Sequence, residues 1–401
     1  MEDIGFKSII NYFGGEKNSN VMDLSNYVSG QYTQQYHYKS YSPSKINIEW
    51  TWQDPKINTL LAEANQKLGE LNAFSLYVPD IDFFIAMHVI KEATTSSKIE
   101  GTRTGVDEAL LSIEDIAPWK RDDWQEVQNY IKALNFSIVK LKELPLSTRL
   151  LKAAHKILLD GVRGKTKMPG EYRTSQNWIG GATLKDAVFI PPVYTEISGL
   201  MDDLENFIHN EKIDVPHLIR IAIAHYQFET IHPFLDGNGR LGRLMITLYL
   251  VSTNLLDKPT LYLSDFFECK KSLYYENLTL VRTSNNLTQW IKFFLIAVIE
   301  TSNKGIASFK QILKLKEDIE GRKLLSLGKR VNAAKKLVNF LYRKPLINVK
   351  DVEALLGVTT KPANAIIQEF LKLGILKELT GQKRNRLFLF ADYYKLFTDS
   401  K

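Results

Sequence analysis

The chain has 401 residues, 44% hydrophobic and 24% charged, with a formal net charge of +7; this is a globular composition long enough for two or three domains, which excludes a fibrous or wholly disordered chain. Its single cysteine, Cys269, excludes an internal disulfide, and nothing beside it lowers a thiol pKa, so a small buried hydrophobe is expected there. No run approaches eighteen apolar residues, and the first residues lack a basic stretch leading into a hydrophobic one, so the expectation is a soluble cytoplasmic protein with no membrane partner.

Residues 1–45 are rich in Asn, Ser, Tyr, Gly and Gln without a sustained period and read as a loosely structured arm. From Asp54 the pattern turns helical, with Ile57, Leu60, Leu61, Ala64, Leu68 and Leu71 spaced for one buried face. Pro79 and Asp80 offer an N-cap to a helix over 81–100, with Phe84, Ile85, Met87, His88, Ile90 and Ala93 on its apolar side and Gly101 as its left-handed C-terminal residue. Glu100 falls in the last turn, where the helix dipole disfavours a carboxylate, so it calls for a cationic partner.

Helices over 122–141 and 150–159 follow. Gly161 and Gly164, ahead of Lys165 and Thr166, stand too close for a P-loop, which needs four residues between its glycines. After Pro169 and Gly170, residues 171–181 and 188–192 read as two short strands joined by a mobile tip, a hairpin whose free edge can take an extended peptide. Helices over 193–210 and 216–231 then bring Tyr226, Phe228 and Thr230 up to a polar loop. His225 has no further ligands at metal-binding spacing and reads as a packed core residue.

Past that loop, residues 264–267 precede a helix over 271–281 that carries Tyr274 and Tyr275, and 290–299 reads as the last core helix. A polar-faced helix over 303–321 leads to a hinge at 324–328. Three helices over 331–341, 349–356 and 361–373, then strands at 375–379 and 387–390 around a basic turn, are similar to a winged helix-turn-helix. Residues 330–401 hold 14 Lys and Arg against 6 Asp and Glu, so the net positive charge belongs to this unit. Its candidate recognition helix shows Thr360, Lys361, Asn364 and Gln368 and no arginine to grip guanine edges bidentately. Both DNA binding and a dimerisation or target-docking role therefore stay open.

The loop His232-Pro233-Phe234-Leu235-Asp236-Gly237-Asn238-Gly239-Arg240-Leu241-Gly242-Arg243 organises the rest. Gly237, Asn238 and Gly239 can take positive φ and turn successive N–H groups toward one anion. The helix that follows adds its own unpaired N–H groups. Arg240 and Arg243 share a face of its first turns, where the dipole opposes cations, a conflict that a bound polyphosphate relieves. Asp236 is a hard oxygen ligand for a magnesium ion carrying phosphates, and His232 a base near neutral pH.

This stretch resembles the full signature of the Fic family of nucleotidyl transferases, His-Pro-Phe-x-Asp-Gly-Asn-Gly-Arg-x-x-Arg, with no departure at any signature position. The resemblance implies a mostly α fold. It divides the chain into an arm at 1–45, an N-terminal helical domain at 46–115, a catalytic core with a β-hairpin flap at 116–302, a linker helix at 303–329 and the winged helix at 330–401. It implies transfer of AMP from ATP, with Mg²⁺, to a Ser, Thr or Tyr hydroxyl of a target protein or of the chain itself. His232 would be the base, Asp236 the metal ligand, and Asp236, Gly237, Asn238, Gly239, Arg240, Leu241, Gly242 and Arg243 the nucleotide loop. Ile179, Gly180, Gly181 and Ala182 of the flap would approach the nucleoside, and Tyr274 and Tyr275 would match the family's paired tyrosines near the adenine, although Lys270 or Lys271 replaces the arginine before them.

Ser96, Glu100 and Gly101 fit the family's inhibitory pattern Ser/Thr-x-x-x-Glu-Gly/Asn, in which the glutamate pairs with the second signature arginine, here Arg243. Removal of AMP from a modified hydroxyl and a DNA-binding regulator with a nucleotide-sensing core are the alternative readings. The target protein, homodimer formation and the partner of residues 330–401 stay open from sequence.

Overall fold

Two segments have almost no polar face, and a helix that is apolar all round must be buried on all sides. These are His217–Ile231 and Asn238–Ser252. Ile219, Ile221, Ile223 and Phe228 of the first, with Leu241, Leu244 and Leu248 of the second, are fully buried. The polar loop that starts at His232 joins them, so it is suspended between the two most enclosed helices. The computed structural model describes residues 21–77, 81–381 and 385–398. The expected N-cap at Pro79 and Asp80 and the turn residues 382–384 lie outside them.

Around this pair stand amphipathic helices. Pro55–Tyr77 buries Ile57, Leu60, Ala64, Leu68 and Leu71, as its spacing predicts. Ile81–Ile99, Arg121–Lys140, Thr148–Leu158, Ile197–His209, Ser264–Cys269 and Lys271–Ser284 complete the shell. Gly101 has the expected left-handed φ of 99°. Leu287–Asp318 is one 32-residue helix, not the two elements expected at 290–299 and 303–321. Gly305, inside the second of these, is no break: it lies against Leu71, where a Cβ would come within 2.9 Å of Leu71 Cδ1, so its small size serves helix packing against Pro55–Tyr77. Cys269 is exposed at a helix end, not buried.

The arm is also more ordered than its composition suggests. From residue 21 on, β1 (Val21–Asp23) runs parallel to β4 (Glu49–Thr51), with Met22 opposite Trp50, while β2 (Gly30–Gln34) and β3 (Lys39–Pro43) form an antiparallel hairpin with Tyr32 opposite Tyr41. Leu24, Tyr27, Tyr41, Ile46 and Trp50 are buried beneath these strands. Five widely spaced apolar residues anchor what backbone pairing completes, which is why no period shows in the sequence.

At the expected hinge the chain widens into a π-helical turn over Ile319–Lys323, then tightens into a 3-10 helix over Leu324–Arg330, where Gly328 takes φ 54°. Helices Val331–Arg343, Val349–Leu356 and Thr360–Lys372 follow, with β5 (Leu346–Asn348), β6 (Lys377–Glu378) and β7 (Leu387–Leu389) in the antiparallel order β5-β7-β6. Helix Ala391–Thr398 closes the chain. This unit is packed onto the rest: Tyr342 meets Phe84 edge-on at 5.0 Å and Phe397 meets His88 at 4.9 Å, both on helix Ile81–Ile99. Most of the buried apolar residues accordingly form one cluster across the proposed boundaries. Among the described residues, no helix is long and apolar enough to cross a membrane.

Candidate active site

The turn into helix Asn238–Ser252 is built by its own side chains. Gly237 takes φ 76°, and its N–H donates to Asp236 Oδ1 at 2.6 Å. Asn238 Nδ2 donates to the Phe234 carbonyl and Asn238 Oδ1 accepts from the Phe234 N–H, both at 2.8 Å. The expected run of three positive φ values is therefore replaced by one, at Gly237. Asn238 and Gly239 are the first helical residues, and the convergent N–H groups are those of the helix terminus. The Asn238 side chain is spent on closing the loop. Leu241 is core, and the Gly242 carbonyl accepts from His225 Nδ1 at 3.1 Å.

Arg243 is 2% exposed and reaches back to the end of helix Ile81–Ile99. Its Nε donates to Ser96 Oγ at 2.9 Å, and Nη2 donates to the Ser96 carbonyl at 2.8 Å and to Glu100 Oε1 at 2.7 Å. Ser96 and Glu100 are one helical turn apart, so one guanidinium takes both. Lys271 Nζ caps the same helix end through the Ile99 carbonyl at 2.6 Å. Burial alone would raise the Glu100 pKa, but Arg243, with Arg240 and His232 behind it, holds the carboxyl below its usual range. A Cβ on Gly239 would stand 2.2 Å from Glu100 Oε1. The carboxylate thus occupies the space that glycine leaves open over the positive end of helix Asn238–Ser252, where an anion is favoured.

Arg240 is equally enclosed but less satisfied. Its Nη1 lies 3.5 Å from Glu126 and its Nη2 3.6 Å from Asp236, and Nε and Nη1 make no hydrogen bond among the described residues. Buried guanidinium N–H groups short of acceptors favour an incoming anion. Glu229 lies beside Gly242, and burial pushes its carboxyl up to about 7 against the pull of Arg243. It is therefore a weak rival to Glu100 for that arginine.

His232 caps helix His217–Ile231 in the left-handed region, φ 50° and ψ 60°, which costs a non-glycine residue roughly 1–2 kcal/mol. Its Nδ1 faces the Glu229 carbonyl at 3.4 Å, which places the proton there and leaves Nε2 with its lone pair free. Burial lowers its pKa to about 4, with Glu100 opposing, so the ring is neutral at physiological pH.

The flap is no two-stranded ladder. A single bridge joins Ile179 and Phe189, with N–H···O distances of 2.8 and 3.1 Å. Pro191 and Pro192 have no N–H to give, and their carbonyls go to Gln176 and Arg173. The tip folds on itself, Asp186 accepting from the Ala182 and Thr183 N–H groups at 2.7 Å each. Gly180, Gly181 and Ala182 are exposed. Arg282 stacks over Phe189 at 3.8 Å and ties the flap to helix Lys271–Ser284. On that helix Tyr275 is 39% exposed, whereas Tyr274 is buried and its hydroxyl donates to His225 Nε2 at 2.9 Å. The Tyr274 hydroxyl is thereby engaged in the core, and His225 is the packed residue expected.

Three contributors escape a reading of the sequence. His155 stacks on Phe234 at 3.9 Å, accepts from the Gly170 N–H at Nδ1 and so donates from Nε2 to the Asp236 carbonyl at 2.9 Å. Arg173 and Asn177 both donate to the His232 carbonyl, at 3.0 and 3.4 Å. None belongs to a short motif, and only the fold brings them to the loop. A cavity of about 760 Å³ near His209, Arg220 and Tyr249 shares no residue with this loop.

Comparison with known proteins fits this geometry. The Fic/DOC family N-terminal profile matches residues 58–138 and the Fic/DOC family profile residues 145–250. These two segments are similar to the Fic/DOC N-terminal region and the Fic/DOC domain. Over 124 residues the chain is 32% identical to the Protein adenylyltransferase Fic of Drosophila grimshawi, a match covering 30% of the chain and 23% of the relative. Over 172 residues it is 30% identical to the Probable protein adenylyltransferase aq_aa38 of Aquifex aeolicus (strain VF5), covering 42% and 50%. The chain thus spans half or less of the length of these curated relatives. A Fic family protein from Desulfovibrio desulfuricans G20 shares the fold with a TM-score of 0.53 and 21% identity over 84% of this chain and 96% of its own. A Fic domain containing signaling protein from Bacteroides thetaiotaomicron VPI-5482 does so with a TM-score of 0.50 and 18% identity over 64% and 97%.

Proposed function

We propose that this chain is a protein adenylyltransferase that Glu100 holds inactive. The observation that carries the reading is the Glu100 carboxylate, paired with Arg243 at 2.7 Å over the glycine of a helix N-terminus. That is the place of a terminal phosphate, filled by the chain's own anion. Once Glu100 withdraws, Arg243 takes the γ-phosphate and Arg240 gains the acceptors it lacks. The helix N-terminal N–H groups meet the charge that grows on the transferring phosphoryl oxygens. A target hydroxyl attacks the α-phosphorus, His232 Nε2 takes its proton, the bond from the α-phosphorus to the bridging oxygen breaks, and pyrophosphate leaves.

Asp236 suits a magnesium ion. Its side chain is 44% exposed at the mouth of the loop, and a single carboxylate is the usual protein share for an ion that arrives on phosphates and keeps water. Among the described residues, no cluster of three His, Cys, Asp or Glu side chains forms a resident metal cage. The ion would supply charge neutralisation on the phosphates. For the C-terminal unit we propose a winged helix-turn-helix in weak, charge-driven contact with DNA. Its helix Thr360–Lys372 exposes Lys361 and Gln368, while Arg386 of the wing is engaged by Glu378 and is not offered to phosphate.

The test is incubation of the Glu100→Gly variant with α-labelled ATP, magnesium and cell lysate. Label is expected on protein, and none with Glu100→Gly combined with His232→Ala. Equal labelling by the wild-type chain and the Glu100→Gly variant would remove the inhibitory role, and no labelling by either would remove the transfer reaction.

A further inference from the structure

The His232 peptide is held by more than its own helix. Arg173 is 1% exposed, and no carboxylate pairs with it among the described residues. Its guanidinium donates to three backbone carbonyls: His232 at 3.0 Å, Ser175 at 3.2 Å and Pro192 at 2.5 Å. Its own N–H donates to the Pro233 carbonyl at 2.9 Å. Asn177 Nδ2 reaches the His232 and Phe234 carbonyls at 3.4 and 2.9 Å. Ser175 and Asn177 belong to one root of the flap and Pro192 to the other.

We infer that Arg173 and Asn177 are positioning residues: they fasten the left-handed His232 peptide to both roots of the flap, so that the orientation of the imidazole and the position of the flap are set together. A strained residue persists only where its surroundings over-determine it. Here the surroundings are these two side chains, because the His232 carbonyl points away from the helix ladder and accepts from both. A buried guanidinium with only carbonyl partners is a costly device for simple packing. It brings a fixed fork geometry that joins three chain segments at one point. Reorienting the base by even about 1 Å is worth on the order of 100-fold in rate.

The charge of Arg173 gives a second readout. The charged groups around the imidazole are Glu100 from helix Ile81–Ile99, Arg173 from the flap root and Arg282 from helix Lys271–Ser284, with the Glu229 carbonyl from its own helix. Arg173 lowers the affinity of the ring for a proton, so its loss raises the His232 pKa.

The inference rests on the transfer reaction proposed above, so the experiment has an arm that needs no transfer. NMR titration of the His232 ring, assigned by comparison with His232→Ala, is made on the wild-type chain and on Arg173→Met, Arg173→Lys and Asn177→Ala. Steady-state kinetics with ATP are measured on the same variants carrying Glu100→Gly. Arg173→Met is expected to raise the ring pKa and to lower kcat by about 10–100-fold, with KM for ATP changing by less than about threefold. Arg173→Lys restores the ring pKa but not kcat, because an ammonium lacks the planar fork. Asn177→Ala lowers kcat by about tenfold without moving the ring pKa, and it keeps the inference testable if Arg173→Met does not fold. An unmoved ring pKa in Arg173→Met, or a loss confined to KM in both variants, overturns it. If Glu100→Gly itself transfers no AMP, the transfer reaction falls and the titration still decides whether Arg173 acts on the ring.

Discussion

Removing Glu100 has opposite consequences for the empty and the ATP-bound protein. With the ion pair at 2.7 Å and charge centres about 4 Å apart, the attraction is about 4 kcal/mol at the effective dielectric of a protein surface. Arg243 is 2% exposed but Glu100 is 35% exposed, so water screens part of this, and roughly 2 kcal/mol is the reasonable share between exposed and buried pairs. In the proposed reaction ATP displaces that pair before Arg243 can hold its γ-phosphate. Glu100→Gly should therefore tighten ATP binding by about 30-fold. The same change leaves Arg243 buried with only Ser96 to answer it, so the empty variant should melt below the wild-type chain. Calorimetric titration with magnesium-ATP in a His232→Ala background separates binding from turnover, and melting curves with and without nucleotide read the second effect. ATP affinities within about twofold of each other would refute the displacement argument, whatever happened to stability.

Other outcomes follow from the same geometry. In the Glu100→Gly variant the acid limb of kcat/KM, which reports the free enzyme, should lie at or below pH 4, not near 6.5: burial lowers the His232 pKa to about 4, and Glu100, which opposes that shift, is gone. A pH profile of labelled-AMP transfer checks this, and an acid limb near 6.5 contradicts the burial argument. Asn238→Ala should cost about 1–3 kcal/mol by leaving the buried Phe234 N–H unpaired and its carbonyl to Asn177 alone. It should also lower kcat, as thermal melts and steady-state kinetics would show. Lys361→Glu should weaken retention on DNA-cellulose at low salt if the C-terminal unit contacts phosphate, and unchanged retention would point that unit elsewhere.

The parts of the site that were legible in the sequence are those fixed by short spacing. Arg240 and Arg243 share a helix face by number alone, and the four-residue step from Ser96 to Glu100 states that both can meet one partner. Contacts that depend on the path of the chain were not legible. Arg173 lies 59 residues from the His232 carbonyl it holds, and nothing near Arg173 marks it as more than a loop cation. Composition misled at 21–51, where strands rest on a few separated apolar anchors. Proline misled at the flap: Pro191 and Pro192 suit an extended segment but remove the donors a second strand needs. In the signature loop only Gly237 takes the positive φ that its sequence allows; Asn238 and Gly239 are helical, and their N–H groups converge through helical geometry instead.

In the proposed function the gap above Gly239 takes either the chain's own carboxylate or a phosphate, and nothing in the backbone tells the two apart. If Glu100 restrains the site as proposed, any residue with a side chain at that position would abolish restraint and activity together, so lineages that shed the restraint while keeping the chemistry must change the accepting end, at Glu100 or Ser96. Variation among relatives in how tightly they are silenced should accordingly collect at the end of helix Ile81–Ile99, while the receiving turn stays constant.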